Sequence, residues 1–319
     1  MTDPDKSPGP GAYRFTVTGR FAGLHLDQYL AACSDKFSRN LAKRLIDIGG
    51  VHLSGRRMRC CSQPVSAGDN VEVFIDNQPL EPMKLDKKQI LYRDQDLIVI
   101  DKPSGMVTQP SPSRYKGTVY AELQNLLSEP KRKGYSPSIG MMQRLDRDTS
   151  GVMVFSIHQR AHRSMTEAFR GRDIDKVYLA LVAGRPSAEK GKFSSLLARR
   201  RSTNLTVSVA RGGKPAETCY RLLQTMAQVS LVEVKLITGR SHQIRAHFSE
   251  AGLPLLGDIA YGGPQMVNHL KIPRQMLHSH KLSFDHPVTG SKMVFTASLP
   301  NDFSSVLQYI HDSLNSIDT

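Results

Sequence analysis

Between Asn77 and Gln89 the chain carries two prolines, Pro79 and Pro82, and no apolar repeat of helical or strand period. No regular element runs through such a stretch, so it divides the chain. At 319 residues the chain also exceeds the length at which a single hydrophobic core usually stops growing. Two units are therefore expected, a compact one over residues 15–76 and a larger one over 90–319, with 77–89 as the linker. Residues 1–14 are expected to be a disordered tail, since the first eleven are rich in Pro and Gly. Asp3 and Asp5 in that tail suit neither a secretory signal nor an Arg-rich transit peptide.

Within the first unit, a helical pattern begins at Leu26–Leu30. Ser38-Arg39-Asn40 caps a second helix over Leu41–Ile48, which Gly49-Gly50 closes. Short strands follow at Val51–Leu53 and Val71–Phe74, separated by Ser54-Gly55 and Gly68-Asp69 turns. The larger unit is strand-rich. Leu97–Ile100, Val152–Phe155, Val177–Val182, Leu231–Ile237 and Met293–Ala297 read as strands, and Tyr120–Leu127, His158–Phe169 and His242–Ala251 as helices. The expected class is α+β with a mixed, mostly antiparallel sheet, preceded by a small N-terminal α/β unit.

Charge narrows the partners. Lys and Arg number 43 against 29 Asp and Glu, a net charge of +14, which suits a polyanion. No apolar run approaches the roughly 20 residues of a membrane span, so a nucleic acid is expected and a membrane is not. Arg39, Lys43 and Arg44, with Arg56, Arg57 and Arg59, crowd the first unit, and most of them are expected to share one face. A second run, Arg199-Arg200-Arg201, with Arg211 and Lys214, flanks a Val-Ser-Val strand and is expected to meet phosphates. The four cysteines have no C-x-x-C spacing, which argues for a reducing cytoplasm rather than a disulfide framework or a zinc knuckle.

Three segments can carry chemistry. Metal ligation is not expected, because His158, His162, His278, His280 and His286 lack cysteine or carboxylate partners at ligand spacing. Nor do Gly212-Gly213 and Gly262-Gly263 continue into a phosphate loop. The segment Gln143–Gly151 is different: Asp146 lies between Arg144 and Arg147 just before a buried strand, where a carboxylate is a ready nucleophile or base. Read alone, the loop serves equally well as an ion-paired cap on that strand. In Gly239–His247, Arg245 near a helix start can pair with a carboxylate or a phosphate. In Asp175–Ala180, Tyr178 on a strand beside basic charge can stack on a base, although taken singly it fits a core position better.

Taken in order, these segments resemble the RluA family of pseudouridine synthases over about residues 15–300. The resemblance is carried by Ile98–Gly105, Arg144-Leu145-Asp146-x-x-Thr149-Ser150-Gly151, Lys176-x-Tyr178-Leu179-Ala180, Gly239-Arg240-x-His242-Gln243-Ile244-Arg245, Gly257-Asp258-x-x-Tyr261-Gly262 and Leu277-His278-x-His280-x-Leu282 leading to His286-Pro287. The N-terminal unit resembles the alpha-L RNA-binding domain of the ribosomal protein S-four type. The resemblance implies a cofactor-free isomerisation of specific uridines in structured RNA. Ribosomal RNA is expected first and transfer RNA second, and the enzyme is expected to be a cytoplasmic monomer. It assigns Asp146 as the catalytic aspartate, Tyr178 as the ring stacked on the target base and Arg245 as the partner of Asp146. The resemblance further implies that Arg144 enters the RNA stack and that Leu277 lines the pocket. Where the family usually has histidine before Arg-Leu-Asp, this chain has Gln143. The competing readings are an RNA chaperone with a decayed site and a DNA-base glycosylase.

Overall fold

The computed structural model describes residues 8–128, 137–171 and 173–315. Packing divides the chain into two units, Met1–Leu85 with Met106–Ser136, and Asp86–Gly105 with Pro137–Thr319. Gly11 to Arg14, expected to be disordered, instead begin strand β1 (Gly11–Thr16), which pairs antiparallel with β4 (Asn70–Ile75). Tyr13 and Phe15 pack edge-on against Phe37 at 5.5 and 6.0 Å. Ladder bonds and two aromatic contacts thus order a segment whose first residues look like a tail. Residues 1–7 of that tail lie outside the described residues.

Helices α1 (Leu26–Cys33) and α2 (Arg39–Ile48) follow. α2 starts where Ser38 Oγ accepts the Leu41 N–H at 3.2 Å, and it stops at Gly49, whose φ of 93° is the left-handed turn that glycine tolerates. Its buried stripe of Ala42, Leu45 and Ile46 meets Leu26, Tyr29 and Leu30 of α1. β2 (Val51–Leu53) and β3 (Arg56–Arg57) complete a sheet ordered β1-β4-β2-β3. The expected linker is tied down as far as Leu85. The Pro79 carbonyl accepts from Arg114 at 2.8 Å, and the Leu85 N–H reaches Glu122 at 3.4 Å. Arg114 also grips Asp76 through two 3.1 Å bonds. These bonds explain why 106–136, with α3 (Val119–Leu127), groups with the first unit and not with the rest of the expected 90–319 domain.

The second unit is built on β5 (Ile90–Arg93), β6 (Leu97–Lys102), β7 (Ser150–Ser156), β8 (Asp175–Ala183), β9 (Lys190–Arg199), β10 (Thr206–Ser208), β11 (Lys214–Met226) and β12 (Val229–Leu236). After the short hairpin β13 (Met266–Val267) and β14 (Leu270–Lys271) come β15 (Leu277–Asp285) and β16 (Lys292–Thr296). Ten strands form one sheet in the order β10-β9-β11-β12-β8-β15-β7-β6-β5, with β16 also on β15. Among the described residues its pairs are antiparallel except β15 with β7, so the expected α+β class with a mixed, mostly antiparallel sheet holds.

β6 and β7 are buried on both faces, as their unbroken apolar runs require. On one face Leu97, Val99, Val152 and Val154 pack with Ala161 and Met165 of α4 (Gln159–Gly171). In another cluster Leu179 and Leu181 of β8 meet Phe303, Val306 and Ile310 of α6 (Asn301–Asn315). Each buried Val, Leu, Ile, Phe or Met side chain among these contributes about 1.5–3 kcal/mol of hydrophobic stabilisation. α5 (Gln243–Glu250) lies in the sequence between β12 and a single helical turn at Ile259–Tyr261. No described helix is long and apolar enough to cross a membrane.

Candidate active site

The loop that bears Asp146 enters the sheet at β7, beside β15. Gly151 has φ 111°, and a Cβ there would lie 2.2 Å from the Ser279 carbonyl oxygen, so only glycine lets the two strands meet. Ahead of it the Thr149 N–H closes a turn on the Asp146 carbonyl at 3.1 Å. Two buried cations grip this turn from below. Lys102 Nζ donates to the Arg147 carbonyl at 2.8 Å, and Arg274 donates to the Asp148 carbonyl at 2.9 Å and to Ser150 Oγ at 3.2 Å. Arg274 is in turn held by Asp302 of α6 through bonds of 2.6 and 3.0 Å. Burial pulls the Lys102 ammonium down to about 7, against the opposing pull of the Asp148 and Asp146 carboxylates.

Asp146 pairs with Arg245, as the family resemblance implies: Arg245 Nη1 donates to Asp146 Oδ2 at 2.9 Å. The guanidinium's other edge is committed to Asp258, through Nε at 2.6 Å and Nη2 at 2.7 Å, and its face lies 4.8 Å from the centre of the Tyr261 ring. Burial opposes the Arg245 charge, yet the bonds to Asp258 and the two carboxylate charges outweigh it and raise its pKa. The two carboxylates differ in access: Asp258 is 1% exposed in its side chain and Asp146 is 25% exposed. His242 is the third neighbour, with Nε2 3.6 Å from Asp146 Oδ1 and Nδ1 3.0 Å from the Tyr261 hydroxyl. It starts α5 in the left-handed region at φ 53°, which costs a residue with a Cβ about 1–2 kcal/mol. Burial lowers its pKa.

The two arginines next to Asp146 in sequence do not supply its ion pair. Arg147 turns onto Asp148 through bonds of 2.8 and 2.6 Å, and Arg144 donates to Ser241 Oγ at 3.3 Å. Tyr178 is buried on β8, paired in register with Ser279, and burial pushes its phenol up to about 12 despite a hydrogen bond with Ser279. The Asp146 charge adds to that shift. Leu277 is buried on the adjacent strand opposite Ala180. Arg199 and Arg200 are exposed at the end of β9, and the Arg199 charge is felt by His242. Gln143 Nε2 is buried with no hydrogen-bond partner among the described residues.

Arg39, Lys43 and Arg44 lie in the first unit, on α2. Arg39 Nε binds the buried Asp27 at 2.8 Å, Lys43 stands 3.9 Å from the same carboxylate, and Arg44 pairs with Glu81. Arg57 and Arg59, from the same cluster of basic residues, contact residues 111–115 of that unit. Arg57 donates to the Ser111 carbonyl, and Arg59 stacks 3.8 Å from the centre of the Tyr115 ring.

Asp258, His242, Tyr261, Lys102, Arg274 and Asp302 are site residues to which the sequence alone attaches no role. One signal pointed to Asp258: Arg245 sits among Ile244, Ala246 and Phe248, and a guanidinium in such company requires a buried anion. His278 and His162 form structural hydrogen bonds. His278 is buried between Ser150 Oγ at 2.9 Å and the Ala297 carbonyl at 3.2 Å, and His162 between the Ser138 and Ser156 hydroxyls. His286, Asp94 and Asp96 do converge within 4.8 Å. Asp94 is taken by Tyr92, His286 and two backbone N–H groups, and Asp96 by a bidentate Arg160, so the cluster is a hydrogen-bonded clasp.

Residues 96–250 match the family model described as RNA pseudouridylate synthase. An uncharacterised RNA pseudouridine synthase of Chloroflexus aurantiacus is 40% identical over 90% of this chain and 90% of its own. The ribosomal large subunit pseudouridine synthase D of Nitrosomonas europaea is 32% identical over 93% of this chain and 87% of its own. Among solved structures, human RNA pseudouridylate synthase domain containing 4 superposes with a TM-score of 0.58 at 25% identity, covering 70% of this chain and 93% of that one.

Proposed function

The chain belongs to the RNA pseudouridine synthases, and we propose that it isomerises uridines in ribosomal RNA with Asp146 as its catalytic carboxylate. The reaction breaks the bond from base nitrogen 1 to the ribose and remakes it from carbon 5. The base loses the proton on carbon 5 and gains one on nitrogen 1, so the step is redox-neutral and needs no cofactor.

The observation that carries the assignment is the unequal pair of carboxylates on one guanidinium. Asp258 is sealed and doubly bonded, whereas Asp146 holds one guanidinium N–H and remains reachable. A carboxylate so oriented serves as nucleophile or base. Attack on the anomeric carbon, attack on the base and elimination to a glycal all begin from it. Tyr178 stacks on the extruded uracil, and Leu277 lines the pocket. Arg144 enters the gap in the RNA stack, where its guanidinium offsets part of the few kcal/mol that extrusion costs.

Ribosomal RNA is favoured because relatives from Nitrosomonas europaea and Zymomonas mobilis carry that substrate class in their names. Arg199 and Arg200 meet phosphates, and the first unit is an alpha-L RNA-binding domain that contributes Arg39, Lys43 and Arg44. A net charge of +14 favours a soluble monomer, and four free cysteines without disulfide spacing favour a reducing cytoplasm. Transcripts of ribosomal and transfer RNA labelled with tritium on carbon 5 of uridine test the proposal. Release from ribosomal RNA by the wild type and none by Asp146→Ala is the expected result, and an active Asp146→Ala variant sinks the assignment.

A further inference from the structure

Arg245 reaches Asp146 with a single nitrogen, because Nε and Nη2 are both bonded to Asp258. One contact on Oδ2 leaves the carboxylate plane free to turn, since the torsion about its last bond has a broad minimum. The group placed to stop that turning is His242, whose Nε2 lies 3.6 Å from Oδ1. That is longer than a hydrogen bond, as catalytic contacts often are before substrate closes the site.

Tyr261 decides which ring nitrogen of His242 carries the proton. Its hydroxyl oxygen accepts the Thr206 N–H at 2.9 Å, and its own proton has two acceptors in reach, His242 Nδ1 at 3.0 Å and the Thr206 carbonyl at 3.2 Å. Given to Nδ1, the proton leaves the neutral imidazole with an Nε2–H facing a carboxylate oxygen, which is attractive. Given to Thr206, it leaves the Nε2 lone pair facing that oxygen, which is repulsive. The shorter distance and the electrostatics select the same arrangement. The two rings also meet edge to face, 5.7 Å apart at 81°, which fixes the imidazole plane. The charged groups that act on the ring are Asp146 from the catalytic loop, Arg245 from α5, Asp258 beside the helical turn and Arg199 from β9. Burial keeps the ring neutral against the two carboxylates.

We propose that His242 is a positioning residue for Asp146, locked by Tyr261 with its proton on Nε2, so that Arg245 and His242 each hold one carboxylate oxygen. The chain Thr206–Tyr261–His242–Asp146 then ties the catalytic group to the strand β10, which follows the arginine run at 199–201. This role rests on the reading of Asp146 as the catalytic carboxylate.

The test uses the full chain. In the tritium assay, His242→Ala is expected to lower kcat tenfold to a hundredfold with KM within about twofold. His242→Gln, whose amide N–H stands near the place of Nε2–H, is expected to restore most of that loss. Nitrogen-15 NMR of histidine-labelled protein is expected to show His242 as the Nε2–H tautomer in the wild type and a mixture in Tyr261→Phe. An unchanged kcat in His242→Ala, no rescue by glutamine, or an Nδ1–H tautomer in the wild type overturns the proposal. The tautomer is measured without RNA, so it separates this proposal from the substrate reading, which fails if the wild type releases no tritium.

Discussion

Replacing Asp258 by asparagine isolates what the sealed carboxylate does for the reachable one. Asp258 accepts from Arg245 Nε and Nη2 at 2.6 and 2.7 Å, and its side chain is 1% exposed against 9% for Arg245. Asparagine offers one acceptor and turns an N–H2 toward the other guanidinium nitrogen, so one charge-assisted bond is lost and a donor faces a donor. Losing a hydrogen bond to a charged group costs about 1.5–3 kcal/mol, and complete removal of a buried partner about 3–5 kcal/mol. Because Asp146 still shares the guanidinium charge, the expected loss is roughly 2–3 kcal/mol, which lowers Tm by roughly 5–10 °C in a unit of this size. The second effect is on rate: with its main counter-charge gone, Arg245 draws on Asp146 alone, 2.9 Å away. About 1.4–2.8 kcal/mol of extra ground-state pairing corresponds to a tenfold to hundredfold fall in kcat. Calorimetry and tritium release under conditions where the variant is fully folded separate the two effects. A variant with wild-type Tm and kcat would falsify the claim that Asp258 sets the charge balance of Arg245.

Arg274→Lys removes the fork that spans the Asp148 carbonyl and Ser150. It is expected to lower kcat about tenfold while RNA affinity by filter binding stays within about twofold, and equal losses in both would place Arg274 outside loop positioning. His278 has a folded pKa of about 4 against 6.5 ordinarily, so between those values the unfolded chain binds the extra proton and stability falls as the pH is lowered. Denaturant titrations of the wild type are expected to lose ~3 kcal/mol from this group across that window, and His278→Gln is expected to show a flatter profile. Neutralising Arg199 and Arg200 together is expected to reduce the slope of log affinity against log salt by roughly 0.7–0.9 per phosphate contact. An unchanged slope marks them as a solvated edge.

Apolar runs and turn residues told where helices α1 to α5 and about half of the strands lie. β6 and β7 could be read because both faces are buried and every residue of the run is apolar. The polar strands β9 and β11 could not be read in this way, since they alternate weakly and are stabilised by each other's ladder bonds. α6 is not among the helices read from the sequence, although Phe303, Val306 and Ile310 form its apolar stripe, and its purpose, presenting Asp302 to Arg274, is invisible without the fold. β1 hid in a proline- and glycine-rich opening because its order comes from β4 and Phe37.

For the site, the sequence by itself determined the candidates. The ordered motifs around Asp146, Tyr178 and Arg245 carry the likeness to the pseudouridine synthases, because side-chain type and spacing are written in one dimension. Which cation serves which anion was decided only by the tertiary structure. Asp146 stands between two arginines in sequence, but it takes its guanidinium from Arg245 on helix α5, while Arg147 folds onto Asp148. Pairing follows distance and burial in space, and residues 99 positions apart become closer partners than chain neighbours.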